Sequence, residues 1–192
     1  MNFDEHRQFL SAWLRNPRQT GALLPSGNDL AQAMAAQVDV RARTVVELGP
    51  GTGVITNALM ARLAPTARLF LLEKDVRLHA QLRNRFAATS VCCGDAADLR
   101  DVLRAHDIHD VCAVVSSLPL LTMGSGVREA TLRQIAGALA PGGRLVQYTY
   151  VPGPPIKPGL AQELGLRGER VRRVHWNLPP ASVWVYFKSV HG

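Results

Sequence analysis

Short apolar runs rich in β-branched residues alternate with amphipathic segments from residue 44 onward. The runs predict strands, and the amphipathic segments predict helices. The predicted strands cover residues 44–48, 68–73, 90–93, 111–116 and 144–150. The predicted helices cover 54–63, 76–87 and 127–140, with Pro141-Gly142-Gly143 as a stop and turn. This alternation indicates βαβ units around a parallel sheet, a doubly wound α/β fold.

Two further runs near the end of the chain are rich in Val, Trp, Tyr and Phe. They cover residues 169–176 and 182–189, separated by Asn177-Leu178-Pro179-Pro180. We expect them to pair as an antiparallel hairpin and to extend the sheet to seven strands. Residues 151–159, rich in Pro and Gly, predict a stiff loop after the fifth strand.

Composition limits the possible partners and compartments. The 192 residues, 47% of them hydrophobic, are enough for one core, so we expect a single domain over residues 1–192. The net charge of +7 favours a nucleic acid, an anionic membrane or a phosphorylated substrate. Three cysteines without paired spacing predict neither disulfides nor a metal site. An acidic start without a long apolar run predicts a cytoplasmic protein, at most peripherally bound to membrane.

The first segment predicts an amphipathic helix that Pro17 ends. Its apolar face carries Phe3, Phe9, Leu10, Trp13 and Leu14. One interpretation is an arm that packs on the domain. The other is a helix that lies in a membrane interface, helped by arginines in or just after it.

A glycine-rich turn follows the first strand and opens a helix, which is typical of a nucleotide-cofactor site. It reads Glu47-Leu48-Gly49-Pro50-Gly51-Thr52-Gly53 and lacks the Lys-Ser/Thr pair of a triphosphate-binding loop. The Glu47 charge would repel a pyrophosphate but attract the ammonium group of S-adenosylmethionine. We therefore predict that Glu47, Gly49, Gly51, Thr52 and Gly53 bind this cofactor, whose product is S-adenosyl-L-homocysteine.

The ends of the next strands supply the remaining predicted cofactor contacts. Glu73 lies 20 residues after Gly53, the offset at which an acid meets ribose hydroxyls. Asp95, just past the third strand, is expected to accept from the adenine amino group. Lys74, Ala96 and Ser116 complete the predicted cofactor-binding set.

The loop after the fourth strand, Ser116-Ser117-Leu118-Pro119-Leu120, is apolar and lies at the sheet edge where ligands bind. Enzymes that methylate adenine place Asn or Asp, then Pro, then an aromatic residue there. This sequence has neither the amide nor the aromatic residue, which disfavours a planar base as acceptor.

The chain resembles the small bacterial phospholipid N-methyltransferases of the class I, Rossmann-like type, which convert phosphatidylethanolamine toward phosphatidylcholine. The resemblance extends over essentially the whole chain. It rests on residues 9–26 (FLSAWLRNPRQTGALLPS), the glycine turn, 116–120 (SSLPL), 147–150 (QYTY) and 177–181 (NLPPA).

The resemblance implies a phospholipid substrate at an anionic membrane surface, on the inner face of the cytoplasmic membrane. Residues 1–26 would form the amphipathic helix and a loop covering the substrate. Arg18, Ser26 and Leu118 are the expected substrate-binding residues, with Arg18 gripping the phosphate. Tyr148 and Tyr150, on one face of the fifth strand, are the expected catalytic residues, because their rings attract a methylated ammonium. No general base is evident, and neither nucleic acid nor an obligate protein partner is expected.

Two alternatives remain open. The basic charge and the Leu-Pro loop are compatible with an adenine N6-methyltransferase acting on ribosomal RNA or another nucleic acid. A protein that binds S-adenosylmethionine and membrane without catalysis is the other alternative, although the acidic residues of the cofactor site disfavour it.

Overall fold

The computed structural model describes residues 25–175 and 180–190, and it contains a seven-stranded sheet. The strands are β1 (Thr44–Leu48), β2 (Arg68–Glu73), β3 (Ser90–Cys93), β4 (Val111–Ser116), β5 (Leu139–Thr149), β6 (Leu166–Val174) and β7 (Ala181–Lys188). Their order is β3-β2-β1-β4-β5-β7-β6, with β1 to β5 parallel and β7 antiparallel to both neighbours. This is the predicted doubly wound sheet with its antiparallel C-terminal pair.

Helices cover both faces of the sheet. They are α1 (Pro25–Ala35), α2 (Val54–Arg62), α3 (Val76–Arg85), α4 (Leu99–Ala105), α5 (Ser125–Ala138) and α6 (Pro158–Glu163), with a 3₁₀ turn at Ala96–Asp98 before α4. Buried residues of α1 to α3 form one core and those of α4 to α6 the other. Neighbours such as Val45 and Val46 point into opposite cores, so the central strands need continuous apolar sequence.

The strand order reverses between β1 and β4, and this reversal positions the candidate site. Chain that leaves β1 turns toward β2, whereas chain that leaves β4 turns toward β5. In open α/β sheets the crevice at the carboxyl ends of two such strands is where ligands bind. The glycine turn after β1 and the Ser116 loop after β4 border this crevice.

The predicted stop and turn before the fifth strand is wrong in its position. Leu139 is already a buried strand residue that pairs with Val111, so β5 begins before Pro141-Gly142-Gly143 and α5 ends at Ala138. The next pair is Ala113 with Arg144, which makes the Pro-Gly-Gly sequence a bulge inside β5. Gly142 adopts a φ of +75°, a conformation that suits glycine in such a bulge.

Three helices were not predicted: α1, α4 and α6. The stiff loop expected over 151–159 ends early, because Pro158 begins α6, and the loop expected to end at Ser26 is already helical from Pro25. Strand β6 was expected over 169–176 but begins at Leu166, since its exposed residues give no apolar alternation. The predicted amphipathic helix and the Arg18 segment lie outside the described residues. In the described part of the chain, no helix has both the length and the apolar character needed to cross a membrane.

Gly168 tests how tightly β6 packs on the sheet. A Cβ atom at this position would overlap the ring of Tyr186, which is 1% exposed. Gly168→Ala should therefore lower the unfolding free energy by about 1–3 kcal/mol, the usual range for overpacking. Thermal unfolding is the measurement, with Gly126→Ala in α5 as the control. A Cβ at Gly126 would meet no atom within 4 Å, so the control should keep or slightly raise the melting temperature. Equal melting temperatures for the two variants would contradict the packing argument.

Candidate active site

The glycine turn after β1 is a tight backbone structure anchored to its neighbours. The Gly49 N–H donates to the Leu72 carbonyl at 2.9 Å, and the Gly53 N–H donates to the Pro50 carbonyl at 2.9 Å. Gly51 and Gly53 have φ values of +58° and +82°. A Cβ at Gly53 would overlap the Phe86 ring, whereas one at Gly51 would point into open space. The turn thus presents bare backbone to the crevice just before α2.

Glu47 is a completely buried acid with only one of its two oxygens engaged. Its Oε2 accepts a hydrogen bond from the Thr56 hydroxyl at 2.8 Å, and Oε1 has no hydrogen-bond partner. Burial raises the pKa of Glu47 to about 8; the Thr56 hydrogen bond opposes this shift and the negative charge of Glu73 adds to it. A cation that reached Oε1 would satisfy this atom. The ammonium group of S-adenosylmethionine is such a cation, so this residue fits the predicted cofactor.

Glu73 joins the end of β2 to the glycine turn. Its Oε2 accepts from the Gly51 N–H at 3.0 Å, and its Oε1 accepts from the Asp75 N–H at 2.9 Å. The side chain is 7% exposed, so it is fixed at the wall of the crevice. Each carboxylate oxygen can accept more than one hydrogen bond, which leaves Glu73 able to receive the ribose hydroxyls predicted from the sequence.

Lys74 and Asp95 form an ion pair that links the ends of β2 and β3. The Lys74 Nζ lies 2.6 Å from Asp95 Oδ2, and Asp95 Oδ1 accepts from the Ala97 N–H at 3.0 Å. The hydrogen bond from the Ala97 N–H has the larger effect and that from Lys74 the smaller; together they hold the pKa of Asp95 below its usual value. Asp95 is therefore an anion that begins the 3₁₀ turn containing Ala96. The proposed contacts of Lys74, Asp95 and Ala96 with the cofactor remain predictions.

The loop after β4 packs directly on the glycine turn. The Ser117 N–H donates to the Leu48 carbonyl at 2.9 Å, and the buried Ser116 hydroxyl accepts from the Leu118 N–H at 3.3 Å. The Leu118 side chain lies 3.4 Å from where a Cβ on Gly49 would stand. Leu118 thus separates the glycine turn from a pocket on its other side.

This acceptor pocket, as we call it, is lined mainly by apolar groups. Its lining residues are Leu118, Pro119, Leu120, Leu121, Thr122, Tyr148, Thr149, Tyr150 and Pro155. The rings of Tyr148 and Tyr150 meet edge to face, with centroids 5.3 Å apart and planes at 73°. Burial, with a smaller effect of Tyr150, raises the pKa of Tyr148 above its usual value. The Tyr148 hydroxyl consequently stays protonated near neutral pH and is no general base.

Gln147 is a site residue that the sequence analysis did not select. It is 1% exposed, and its Nε2 donates to the carbonyls of Leu118 at 3.1 Å and Tyr148 at 3.0 Å. The amide therefore holds the β4 loop at a fixed distance from the strand that carries the tyrosines. An amide between Val146 and Tyr148, within a strand, was the signal that could have identified it. Thr56, which engages Glu47, gave a similar signal in α2.

The described residues contain no group of three or more His, Cys, Asp or Glu side chains that could hold a metal ion. Arg18 and the side chain of Ser26 lie outside what the structure describes, and their contact with substrate remains a prediction.

Glu47 leads to a prediction about pH and cofactor affinity. Only its ionised form attracts an ammonium, and below about pH 8 the neutral form predominates in the free protein. Between about pH 6 and 7.5 an α-amino group stays largely protonated. Over this range the Kd for S-adenosylmethionine should fall, by up to about tenfold for each unit that the pH rises. Isothermal titration calorimetry on the cofactor-free protein measures this dependence. Glu47→Gln should bind more weakly and lose the slope, whereas the exposed Glu163→Gln should retain both affinity and slope. A wild-type Kd independent of pH would contradict the assignment.

Comparison with known proteins gives two sequence relatives, and no protein-family model matches the chain. An ornithine lipid N-methyltransferase from Singulisphaera acidiphila is 33% identical over 148 residues, covering 75% of this chain and 77% of that protein. Ribosomal RNA small subunit methyltransferase A from Burkholderia multivorans is 37% identical over 90 residues. This second match covers 45% of the chain and only 32% of that protein.

Solved methyltransferase structures share the fold. TrmN from Thermus thermophilus superposes with a TM-score of 0.66 at 23% identity, over 89% of this chain and 52% of that one, so the chain spans about half its length. A TehB-like S-adenosylmethionine-dependent methyltransferase from Corynebacterium glutamicum gives 0.65 at 20% identity, over 97% and 100%. The Burkholderia thailandensis 1,6-didemethyltoxoflavin-N1-methyltransferase, solved with bound S-adenosylhomocysteine, gives 0.69 at 15%, over 95% and 87%.

The fold of the solved structures, the glycine turn with its buried acid and the extended identity to the first relative agree with one another. The chain belongs to the family of class I S-adenosylmethionine-dependent methyltransferases that includes the ornithine lipid N-methyltransferase.

Proposed function

We propose that this methyltransferase methylates the amine of an amino-lipid headgroup, and that phosphatidylethanolamine is its acceptor, converted toward phosphatidylcholine. The observation that carries the proposal is the acceptor pocket: an apolar recess with two tyrosine rings, separated from the glycine turn by Leu118. The ornithine lipid N-methyltransferase, at 33% identity, supports an amino lipid as the substrate class.

The apolar pocket suits the protonation state that the reaction needs. A primary amine resembles lysine, with a pKa of about 10.4, and must be neutral to attack a methyl group. Burial among Leu118, Pro119 and Leu120 disfavours the charged form of the amine and so lowers its pKa. The proton can then leave to water as the amine enters, and no side chain has to act as the base.

The tyrosine rings suit the charge that develops on the nitrogen. S-adenosylmethionine supplies an electrophilic methyl group on a sulfonium, and positive charge passes to the nitrogen as the methyl moves. Ring faces of Tyr148 and Tyr150 would stabilise that charge, and they would still do so when the nitrogen becomes quaternary. Gln147, through the Leu118 carbonyl, fixes the distance between the loop and the rings, because methyl transfer depends on alignment.

Action at a membrane surface belongs to the same proposal. Lipid headgroups lie at the surface, and the net charge of +7 favours an anionic bilayer. The segment with Phe3, Phe9, Leu10, Trp13 and Leu14 is our candidate for the interfacial helix, and Arg18 with Ser26 for a phosphate contact. These residues lie outside the described part of the chain, so their roles rest on the sequence.

The second candidate is methylation of adenine in RNA. The match to ribosomal RNA small subunit methyltransferase A over 90 residues favours it. The β4 loop opposes it, because Ser116 to Leu120 offers neither an amide for the base edge nor an aromatic ring for stacking.

A direct test follows the label from radioactive S-adenosylmethionine. Purified protein is incubated in parallel with vesicles containing phosphatidylethanolamine, with vesicles containing ornithine lipid, and with total RNA. We expect label in methylated phosphatidylethanolamine. Label in ornithine lipid alone would support an amino lipid as the substrate class but reject phosphatidylethanolamine as the acceptor. Label in RNA alone would overturn the proposal.

The tyrosine rings give a separable prediction. Tyr148→Leu and Tyr150→Leu should each lower kcat about tenfold, the size of one cation–π contact of roughly 1–2 kcal/mol. Tyr→Phe at either position keeps the ring face and should stay within a few-fold of wild type. Cofactor affinity, measured by calorimetry, should be unchanged in all four variants. Phe variants as slow as the Leu variants would mean that the hydroxyls, not the ring faces, matter.

A further inference from the structure

Strand β6 carries an unusual concentration of positive charge at the end of the sheet. Residues 167–173 are all exposed, and four of the seven are arginines: Arg167, Arg170, Arg172 and Arg173. β6 is the last strand in the sheet order and pairs with β7 alone among the described strands. Charges on an edge strand commonly prevent it from pairing with other chains. The four arginines could serve that purpose on either face of the strand.

A bulge in β6 nevertheless determines which of the arginines lie on the same face of the strand. Arg170 stands opposite Trp184, but Arg173 stands opposite Ser182, because the register shifts between Arg170 and Arg172. Trp184 and Ser182 are two residues apart on β7 and share a face. In a regular strand, residues three apart point to opposite faces, so the extra residue Val171 brings Arg170 and Arg173 together.

The other two arginines lie on the opposite face of the same strand. Arg167 pairs with Phe187 and Arg172 with Val183, both of which face the core formed with α1 to α3. Arg167 already has partners, since its guanidinium lies 5.6 Å from the centroid of the Phe187 ring and 3.9 Å from Glu169. Arg170 and Arg173 make no ion pair with any of the described residues.

Arg170 and Arg173 line a recess that adjoins the acceptor pocket. The recess also contains Tyr150, Pro152 and Ser182, and Tyr150 is a wall of both cavities. Arg170 and Arg173 therefore line one of the two cavities that share Tyr150, and the apolar pocket is the other. An amino-lipid headgroup has the same bipolar character: an amine and, a few bonds away, an anionic oxygen group.

We propose that Arg170 and Arg173 form an anion subsite that binds the phosphate or carboxylate of the acceptor lipid while its amine occupies the pocket beside Tyr148 and Tyr150. Guanidinium groups bind either anion through paired, charge-assisted hydrogen bonds. The inference rests on the proposed function and deepens it, because it assigns the selectivity for bipolar headgroups to the bulge in β6. Neutral surroundings on the pocket side and positive charge on the recess side orient the headgroup with its amine inward.

The test compares two double variants that remove equal charge from opposite faces of one strand. Arg170→Gln/Arg173→Gln and the control Arg167→Gln/Arg172→Gln are assayed with phosphatidylethanolamine and with ornithine lipid in neutral detergent micelles. For the first variant we expect the KM for lipid to rise at least about tenfold, with kcat within about threefold of wild type. The control should keep its KM within about twofold. Melting temperature and affinity for S-adenosylmethionine should match wild type in both.

Several results would overturn the inference. Equal rises in KM for both variants would mean that general surface charge is responsible, and an unchanged KM would mean that the recess does not bind the headgroup. Binding to phosphatidylglycerol vesicles without acceptor lipid is measured in parallel. A loss of this binding with KM unchanged in micelles would assign the arginines to the bilayer instead. A rise in KM with one lipid alone would identify the anion, phosphate or carboxylate, and support the subsite. A wild-type protein that methylates neither lipid would refute the proposed function itself, and the subsite with it.

Discussion

The divergence of the chain after β1 and β4 is the constraint on which the candidate site depends. The Leu48 carbonyl receives the Ser117 N–H, while the next residue, Gly49, donates to β2. These hydrogen bonds hold two loops side by side at the point where the sheet order reverses. Glu73, Tyr148 and Tyr150 stand at the ends of the strands next to these two loops. The positions of the side chains in the site therefore depend on the backbone geometry of these two loops.

Two buried polar side chains of the candidate site have an oxygen atom without a hydrogen-bond partner, which lowers the stability of the fold. Glu47 leaves one oxygen unsatisfied inside the core, and Gln147 does the same with its Oε1 atom. An unpaired buried polar group costs about 1–3 kcal/mol in free energy of unfolding. The predicted contact between Glu47 and the cofactor's ammonium group would offset this cost, in which case binding of the cofactor would also stabilise the fold.

The sequence predicted the bounds of β1 to β4 correctly. Strands β1, β2 and β4 are mostly buried on both faces, so their residues form compact apolar runs, whereas the short β3 is only partly covered. It missed the start of β6 for the converse reason: Arg167 to Arg173 face solvent and show no alternation. The 7-residue helix α4 is too short to give a clear helical period. The glycine turn with Glu47 and Glu73 was evident from spacing. The Lys74–Asp95 pair and the Gln147 bridge were not, because they depend on contacts between strands that local sequence does not encode.

The edge position of β6 has a consequence for the evolution of this family. An edge strand needs charge to stay unpaired, and any set of arginines on either face would serve that need. One residue added to β7 opposite Val171 would turn the bulge into a regular pair, leave the charge of β6 intact and place Arg173 on the face opposite to Arg170. Under the proposed anion subsite, the affinity for the headgroup would then fall while the charge that protects the edge strand is preserved. The protective charge of β6 depends only on which residues it contains, whereas the proposed headgroup contact also depends on its register with β7.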